Sequence, residues 1–246
     1  MGLIKTKGIV TKVVNYSESD KILTVITADQ GKIQVFCKGA QSKKSAFLAS
    51  TEFLAFSEFV LYEGTTDMYR ISSAEIIEVF YNLRIDIEKL SYATTMSQIM
   101  NDVCVEGELC FKKLQLFLNT LYVLSETEKP VEFAYAIFKI RLLALLGFVP
   151  TVGVCVSCGK NAAEIENEKS FSIKDNGIKC GACSKVDKGA IKISEIAYTS
   201  LLYVLSMDAK KIFSFEVPES ALEELKLLSQ IYINEKLEKE YKVMKF

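Results

Sequence analysis

Four cysteines, set in two close pairs, constrain this chain of 246 residues more than any other feature. Cys155-Val-Ser-Cys158 is followed, after 21 intervening residues, by Cys180-Gly-Ala-Cys183. In each Cys-x-x-Cys knuckle a tight turn aims two thiolates at one point, and Gly159 and Gly181 ease those turns. Two knuckles set four sulfurs at the corners of a tetrahedron, about 2.3 Å from a zinc ion, and the spacer suits a zinc ribbon. Four cysteine ligands close the coordination shell, so one structural zinc is expected, not a catalytic one. A redox dithiol needs one such pair beside a βαβ unit. A zinc deaminase needs an H-x-E or C-x-E element ahead of a proline-led pair, and neither pair here follows a proline. The alternative is a segment that has lost its metal and is held by packing alone. Between the pairs, Phe171-Ser-Ile-Lys-Asp-Asn-Gly177 predicts a strand and a turn.

The chain has no histidine. That removes Ser-His-Asp and Cys-His hydrolytic sites, His-ligated metals and imidazole proton shuttles. The cysteine quartet is left as the one convincing metal set. Cys37, Cys104 and Cys110 are scattered and are expected to behave as small buried hydrophobes. Seven cysteines make no even disulfide framework, and reduced thiols fit a cytosolic chain. The first residues lack the apolar core of a secretory signal. The most apolar stretch, residues 133–149, is interrupted by Lys139 and Arg141 and reads as a buried helix, not a membrane span.

Residues 1–80 predict β structure. Segments 5–14, 21–27 and 32–37 are rich in β-branched or alternating residues, with Asp29-Gln-Gly31 as a hairpin turn. Segments 53–62 and 68–79, joined by a turn at residues 63–66, complete about five strands. Five short antiparallel strands suit a small closed barrel, with the OB-fold the commonest candidate and an SH3-like barrel its rival. Helical periodicity follows over 86–105, 108–124 and 130–146. Pro130 suits the first turn of the third helix, Gly147 its C-terminal cap, and Pro150 forbids continuation. Ser194 is the expected N-cap of a helix to about residue 207, and Pro218-Glu-Ser220 with Glu223 reads as a capping box for the last helix. The expected fold class is α+β and multidomain. A barrel occupies 1–80, a helical domain 81–150 and 191–246, and a metal-binding insertion 151–190.

The net charge of −1 hides a polarity. Residues 1–50 hold eight lysines against Glu18, Asp20 and Asp29, a net +5, whereas residues 51–80 hold Arg70 against six acids, a net −5. The basic half sets Lys12, Lys21, Lys32, Lys38, Lys43 and Lys44 among Tyr16, Phe36 and Phe47. That is the composition of a single-strand groove, where lysines track phosphates and aromatic rings stack on bases. Gly39, in the polar loop 38–45, suits close approach of backbone to phosphate. This half has no arginine for bidentate base reading, so recognition is expected to be independent of sequence. The competing reading is an ordinary solvated barrel. For Lys139 and Arg141 there are two readings. Either their stems pack while their heads reach water, or they form a small basic pocket for an acidic peptide.

Several motifs are weak singly but specific in their order and spacing. Gly8-Ile-Val10 and Tyr16-Ser-Glu-Ser-Asp-Lys21 come first, then Thr27-Ala-Asp-Gln-Gly-Lys32, then Lys38-Gly-Ala40 with Lys44-Ser45. Leu143-Ala-Leu-Leu-Gly-Phe-Val-Pro150 leads into the first cysteine pair, and Asp175-Asn-Gly177 into the second. Together they resemble the RecO family of bacterial recombinational-repair proteins over nearly the whole chain. The resemblance implies an N-terminal OB-fold, a helical domain and a zinc-ribbon-like insertion. It implies a non-enzymatic mediator, cytoplasmic and nucleoid-associated, that binds single- and double-stranded DNA and anneals complementary strands. It implies RecR as a partner in loading RecA onto strands coated by SSB. The acidic C-terminal tail of SSB is then expected on the helical domain, which makes Lys139 and Arg141 candidates for that contact. Neither a membrane nor a small-molecule substrate is implied. The basic loop departs from the family in carrying Gln41-Ser42 where many members carry arginine. Two rivals stand beside this reading. One is a zinc-ribbon and barrel adaptor that binds protein without touching DNA. The other is a nuclease or hydrolase, which needs clustered carboxylates for a divalent metal, where only Glu18 and Asp20 form a close pair.

Overall fold

The period-two pattern of the first eighty residues folds into five strands: β1 (Leu3–Asn15), β2 (Lys21–Thr27), β3 (Lys32–Cys37), β4 (Phe56–Glu63) and β5 (Tyr69–Glu78). They close in the order β1-β2-β3-β5-β4, with β4 returning to β1. Four of the contacts are antiparallel, and the fifth, between β3 and β5, is a short parallel one at Val35–Tyr69 and Phe36–Arg70. This Greek-key closure is that of the OB-fold and resolves the choice that periodicity left open. The computed structural model describes residues 2–64, 68–166 and 169–244, so Thr65 and Thr66 of the expected turn lie outside the described residues.

β1 serves two neighbours. Its first half pairs with β4 and its second with β2, and a register shift between Val10 and Lys12 bends it around the barrel. At the changeover only glycine fits: a Cβ on Gly8 would lie 2.6 Å from Val25 Cγ1 and 3.0 Å from the Ile26 carbonyl. The inward residues Val10, Leu23, Val25, Ile33, Val35, Cys37, Phe59 and Leu61 form the barrel core. Between β3 and β4 the chain runs through successive turns, with no regular element from Lys38 to Ala55.

The described residues divide into two compact units. One runs to Glu126 and takes in Val243 and Met244; the other covers Thr127–Lys242. By compactness, the helices α1 (Tyr81–Arg84), α2 (Ile87–Val103) and α3 (Phe111–Glu126) group with the barrel. The cause is a set of backbone bonds between the β2–β3 hairpin and the α2–α3 connection. Lys32 N–H donates to Val105 O (3.2 Å), Gly107 N–H to Gln30 O (3.0 Å) and Cys110 N–H to Ala28 O (3.0 Å). Gly31 forms a bridge with Glu106.

In the second unit, α4 (Val131–Leu145) starts directly after Pro130 and ends as expected. Gly147 takes φ +94°, with Gly147 N–H on Ala144 O (3.2 Å) and Phe148 N–H on Leu143 O (2.9 Å). That is a Schellman termination. The cysteine-bearing segment forms a small antiparallel sheet in the order β7-β6-β8, from β6 (Lys169–Ser172), β7 (Gly177–Lys179) and β8 (Ile191–Ile193), with the one-turn α5 (Gly181–Ser184) after β7. Ser194 caps α6 (Glu195–Ser206) by accepting from Ala197 N–H at 3.2 Å. The expected capping box of the last helix does not form. α7 (Glu219–Lys236) begins on Pro218, which puts Ser220 inside the first turn, and Glu223 pairs with Lys226 at 2.6 Å. The sheet is joined to this helical part by Phe171, whose ring meets Tyr232 edge-on at 5.3 Å. Among the described residues no helix is long and apolar enough to cross a membrane.

Candidate nucleic-acid interface and metal centre

Strand register decides which barrel residues face outward together. Val13, Leu23 and Val35 are cross-strand partners on the inner side. The rows on either side of them therefore point out: Lys12–Thr24–Gln34, and Val14–Ile22–Phe36. The parallel β3–β5 contact extends the second row to Arg70, and β4 extends it to Tyr62. Tyr16, 67% exposed, meets the edge of the Phe36 ring with centroids 5.9 Å apart. Aromatic and cationic side chains thus share one outer face. Arg70 and Tyr62 were not singled out from the sequence, because they lie in the acidic half and reach this face through a pairing with no local signal.

The basic loop is tied to the preceding turn. Gly39 N–H donates to Asp20 Oδ1 (2.8 Å), and Gln41 Nε2 donates to Ser17 O (2.7 Å) and Asp20 O (2.9 Å). The Gly39 N–H, helped by Ser17, Ser19 and the Lys38 charge, holds the Asp20 carboxyl below its ordinary range. Asp20 is therefore spent on loop geometry. Lys12, Lys38, Lys43 and Lys44 are exposed. Phe47 packs against the barrel core instead of standing free for stacking. Two lysines expected at the interface are drawn into the fold. Lys21 is 7% exposed and paired with Glu52 at 2.9 Å, and Lys32 donates to the Asn101 carbonyl at 2.6 Å.

The cysteine quartet is assembled. The sulfurs of Cys155, Cys158, Cys180 and Cys183 all lie within 4.8 Å of one another, and Cys158 Sγ is 3.8 Å from Cys180 Sγ. A tetrahedron with metal–sulfur bonds of about 2.3 Å has edges of about 3.8 Å, so the donor set fits one tetrahedral ion. Gly159, at φ +76°, turns the first knuckle, with its N–H on Cys155 O (2.9 Å); Gly181 opens α5 in the second. Burial works against a thiolate at Cys155, but the N–H groups of Cys180, Cys158 and Ser157 outweigh it and bring the thiol down to about 6. The second knuckle is braced from behind. Lys179, buried just before Cys180, pairs with Asp175 and with Asp187 (2.8 Å), and Ser172 Oγ donates to Asp187 (2.6 Å). Among the described residues these four cysteines are the group able to hold a metal. The scattered cysteines are buried, and burial pushes Cys37 up to about 12 and raises Cys104 too, so Cys37 and Cys104 are poor nucleophiles.

Lys139 and Arg141 do not send both heads to water. Lys139 is 3% exposed, donates to Gln230 Oε1 at 2.9 Å and lies 4.2 Å from the Tyr135 ring centre. Arg141 Nη1 donates to the Val204 and Leu205 carbonyls (3.1 and 2.7 Å) at the end of α6. Burial, with the nearby Lys226 charge, lowers Lys139 to about 7 from 10.5. Between these values the unfolded chain holds a proton that the folded chain releases, so stability rises with pH across that window; below about pH 7 the burial cost is fully present. Lys139→Met is expected to abolish this rise. Thermal melts at pH 7 and about pH 9 check it. An equal rise in both proteins would assign the dependence elsewhere.

The chain matches the family profile described as Recombination protein O N terminal over residues 1–80 and that described as Recombination protein O C terminal over residues 84–245. It is 44% identical over 246 residues to a DNA repair protein RecO of Acetivibrio thermocellus, covering 100% of this chain and 96% of the relative. To the protein of that name from Caldicellulosiruptor bescii it is 35% identical, covering 100% and 98%. To that of Alkaliphilus metalliredigens it is 33% identical, covering 94% and 92%. The OB-fold barrel, the helices, the cysteine quartet and these full-length similarities agree: the chain belongs to the RecO family of DNA repair proteins.

Proposed function

We propose that the chain is a non-enzymatic mediator of recombinational repair that binds single- and double-stranded DNA, anneals complementary strands and, with RecR, helps load RecA onto SSB-coated single strands in the cytoplasm. The observation that carries this reading is the outer barrel face, where Lys12, Lys38, Lys43 and Lys44 stand exposed near Tyr16, Phe36 and Arg70. The cations neutralise phosphates and the rings stack on bases, neither of which selects a sequence. Cys155, Cys158, Cys180 and Cys183 hold one zinc, the ion that a closed all-thiolate tetrahedron suits, and its role is to fix the segment. For the acidic SSB tail, the partly exposed Arg141 offers charge and the buried Lys139 head does not.

Lys43→Glu with Lys44→Glu tests the barrel assignment. The double variant is expected to bind single-stranded DNA about tenfold or more weakly, equally across sequences, and with a flatter salt dependence. A fluorescence titration at two salt concentrations reads both quantities. Unchanged affinity and slope would remove this loop from the interface. Binding of RecR by a protein that ignores oligonucleotides would favour the adaptor reading.

A further inference from the structure

The cysteine-bearing sheet has a second basic surface, concealed by averaging along the sequence. Residues 169–193 hold six lysines against Asp175 and Asp187 only. The structure sorts those lysines into two groups. Lys169 and Lys179 are buried and take up acids: Lys179 pairs with both Asp175 and Asp187, and Lys169 with Glu195 at 2.7 Å. Lys174, Lys185, Lys188 and Lys192 are exposed, and none has an acidic partner among the described residues. Lys169 balances Glu195, and Asp175 and Asp187 share the one Lys179 charge, so a single negative charge is left against the exposed four and the surface stays basic, at a net +3.

Register fixes the face of Lys192, and the Asp187 contacts bring the loop that carries Lys185 and Lys188 to the same face. Lys192 pairs with Ser170, and Ser170 with Lys179, so these residues share a face of the sheet, opposite the face that carries Phe171, Ile178 and Ile191. Asp187 reaches this same face, since its carboxylate meets Ser172 and Lys179. The loop bearing Lys185 and Lys188 on either side of Asp187 is thereby laid across it, and Lys174 stands in the turn that joins β6 to β7. The segment's one aromatic residue, Phe171, is fully buried.

We propose that this face of the sheet is a second nucleic-acid contact, specialised for the phosphate backbone of duplex DNA. It offers charge without a ring to stack on, so it cannot exploit unpaired bases, and a duplex presents the denser line of phosphates. This goes beyond the barrel interface and rests on the reading of the chain as a DNA-binding protein. A chain that pairs strands needs to hold a product duplex as well as a single strand, and the two surfaces divide those tasks.

The test uses the full chain with Lys174, Lys185, Lys188 and Lys192 all changed to Ala, titrated against labelled duplex and single-stranded DNA at several salt concentrations. Loss of four phosphate contacts is expected to weaken duplex binding about tenfold or more and to flatten its salt slope by about 3 to 4, with a smaller effect on single strands. Metal content equal to wild type shows that the fold around the cysteines survives. If the variant loses its metal, lysine acetylation of the wild-type protein decides instead: these four are expected to be protected by duplex DNA, and equal labelling with and without DNA overturns the proposal. Unchanged duplex affinity and slope in a metal-replete variant overturns it too. A wild-type protein that binds no DNA would instead bring down the functional reading on which it rests.

Discussion

Removing the metal is expected to unfold residues 151–193 while the barrel stays folded. The segment has three strands of three or four residues and a core confined to side chains such as Phe171, Ile173, Ile178 and Ile193. A unit of about 40 residues does not bury enough apolar surface to fold without a cross-link or metal. Binding of structural zinc in comparable small units is worth about 10–16 kcal/mol, more than such a core supplies. The barrel core owes nothing to the metal, because it is formed by β1 to β5 and the β3–β4 loop. Chelation, or Cys180→Ser, should therefore release hydrogen-exchange protection across 151–193 and loosen α7 where Tyr232 meets Phe171. Protection in residues 2–64 should persist. A metal-free protein with unaltered exchange would show that packing alone holds the segment.

Gly31→Ala is expected to cost about 3 kcal/mol or more, a large effect for one methyl group. Gly31 has φ +69°, and an added Cβ would sit 2.0 Å from the Val105 carbonyl oxygen and 2.9 Å from that of Glu108. Both are backbone atoms, so no side chain can swing aside. The hairpin bonds to Val105, Gly107 and Cys110 would have to yield. Gly39→Ala is the control. It has nearly the same φ, +68°, with nothing within 4 Å of the added atom. It bears only the left-handed strain of about 1–2 kcal/mol. Denaturant melts of the two variants separate strain from collision. Similar losses in both would mean that the hairpin does not lock the α2–α3 connection as described.

What was legible in the sequence was local. The cysteine knuckles and their glycine turn, the alternation of the five strands, and the ends of α4 and α6 all rest on residues a few positions apart. What was not legible depended on distant partners. Arg70 joins the outer face only because β5 pairs in parallel with β3, a contact between segments about thirty residues apart in sequence. Lys21 reads as a phosphate ligand, yet Glu52 takes up its charge, and Lys32 likewise turns to the end of α2. Lys139 reads as a charge seeking water, yet Gln230 and Tyr135, far from it in sequence or a turn away, supply its surroundings. The capping box is absent for a different reason: Pro218 fixes the helix start two residues earlier than the Ser220 pattern requires. Segment charge sums failed in both directions. They exposed the basic half of the barrel but averaged away the lysines of the small sheet, whose isolation depends on which acids the buried lysines capture.

The central claim is that this chain holds DNA through its backbone by exposed lysines on the barrel. The most direct measurement is a fluorescence titration of the wild-type protein with single-stranded oligonucleotides of unrelated sequence, at several salt concentrations, with and without an SSB tail peptide. Lys12, Lys38, Lys43 and Lys44 alone are expected to give a logarithmic salt slope of about −3, at about −0.7 per phosphate on a single strand. Affinity should be the same for every sequence. Absent binding, or binding indifferent to salt, would contradict the account.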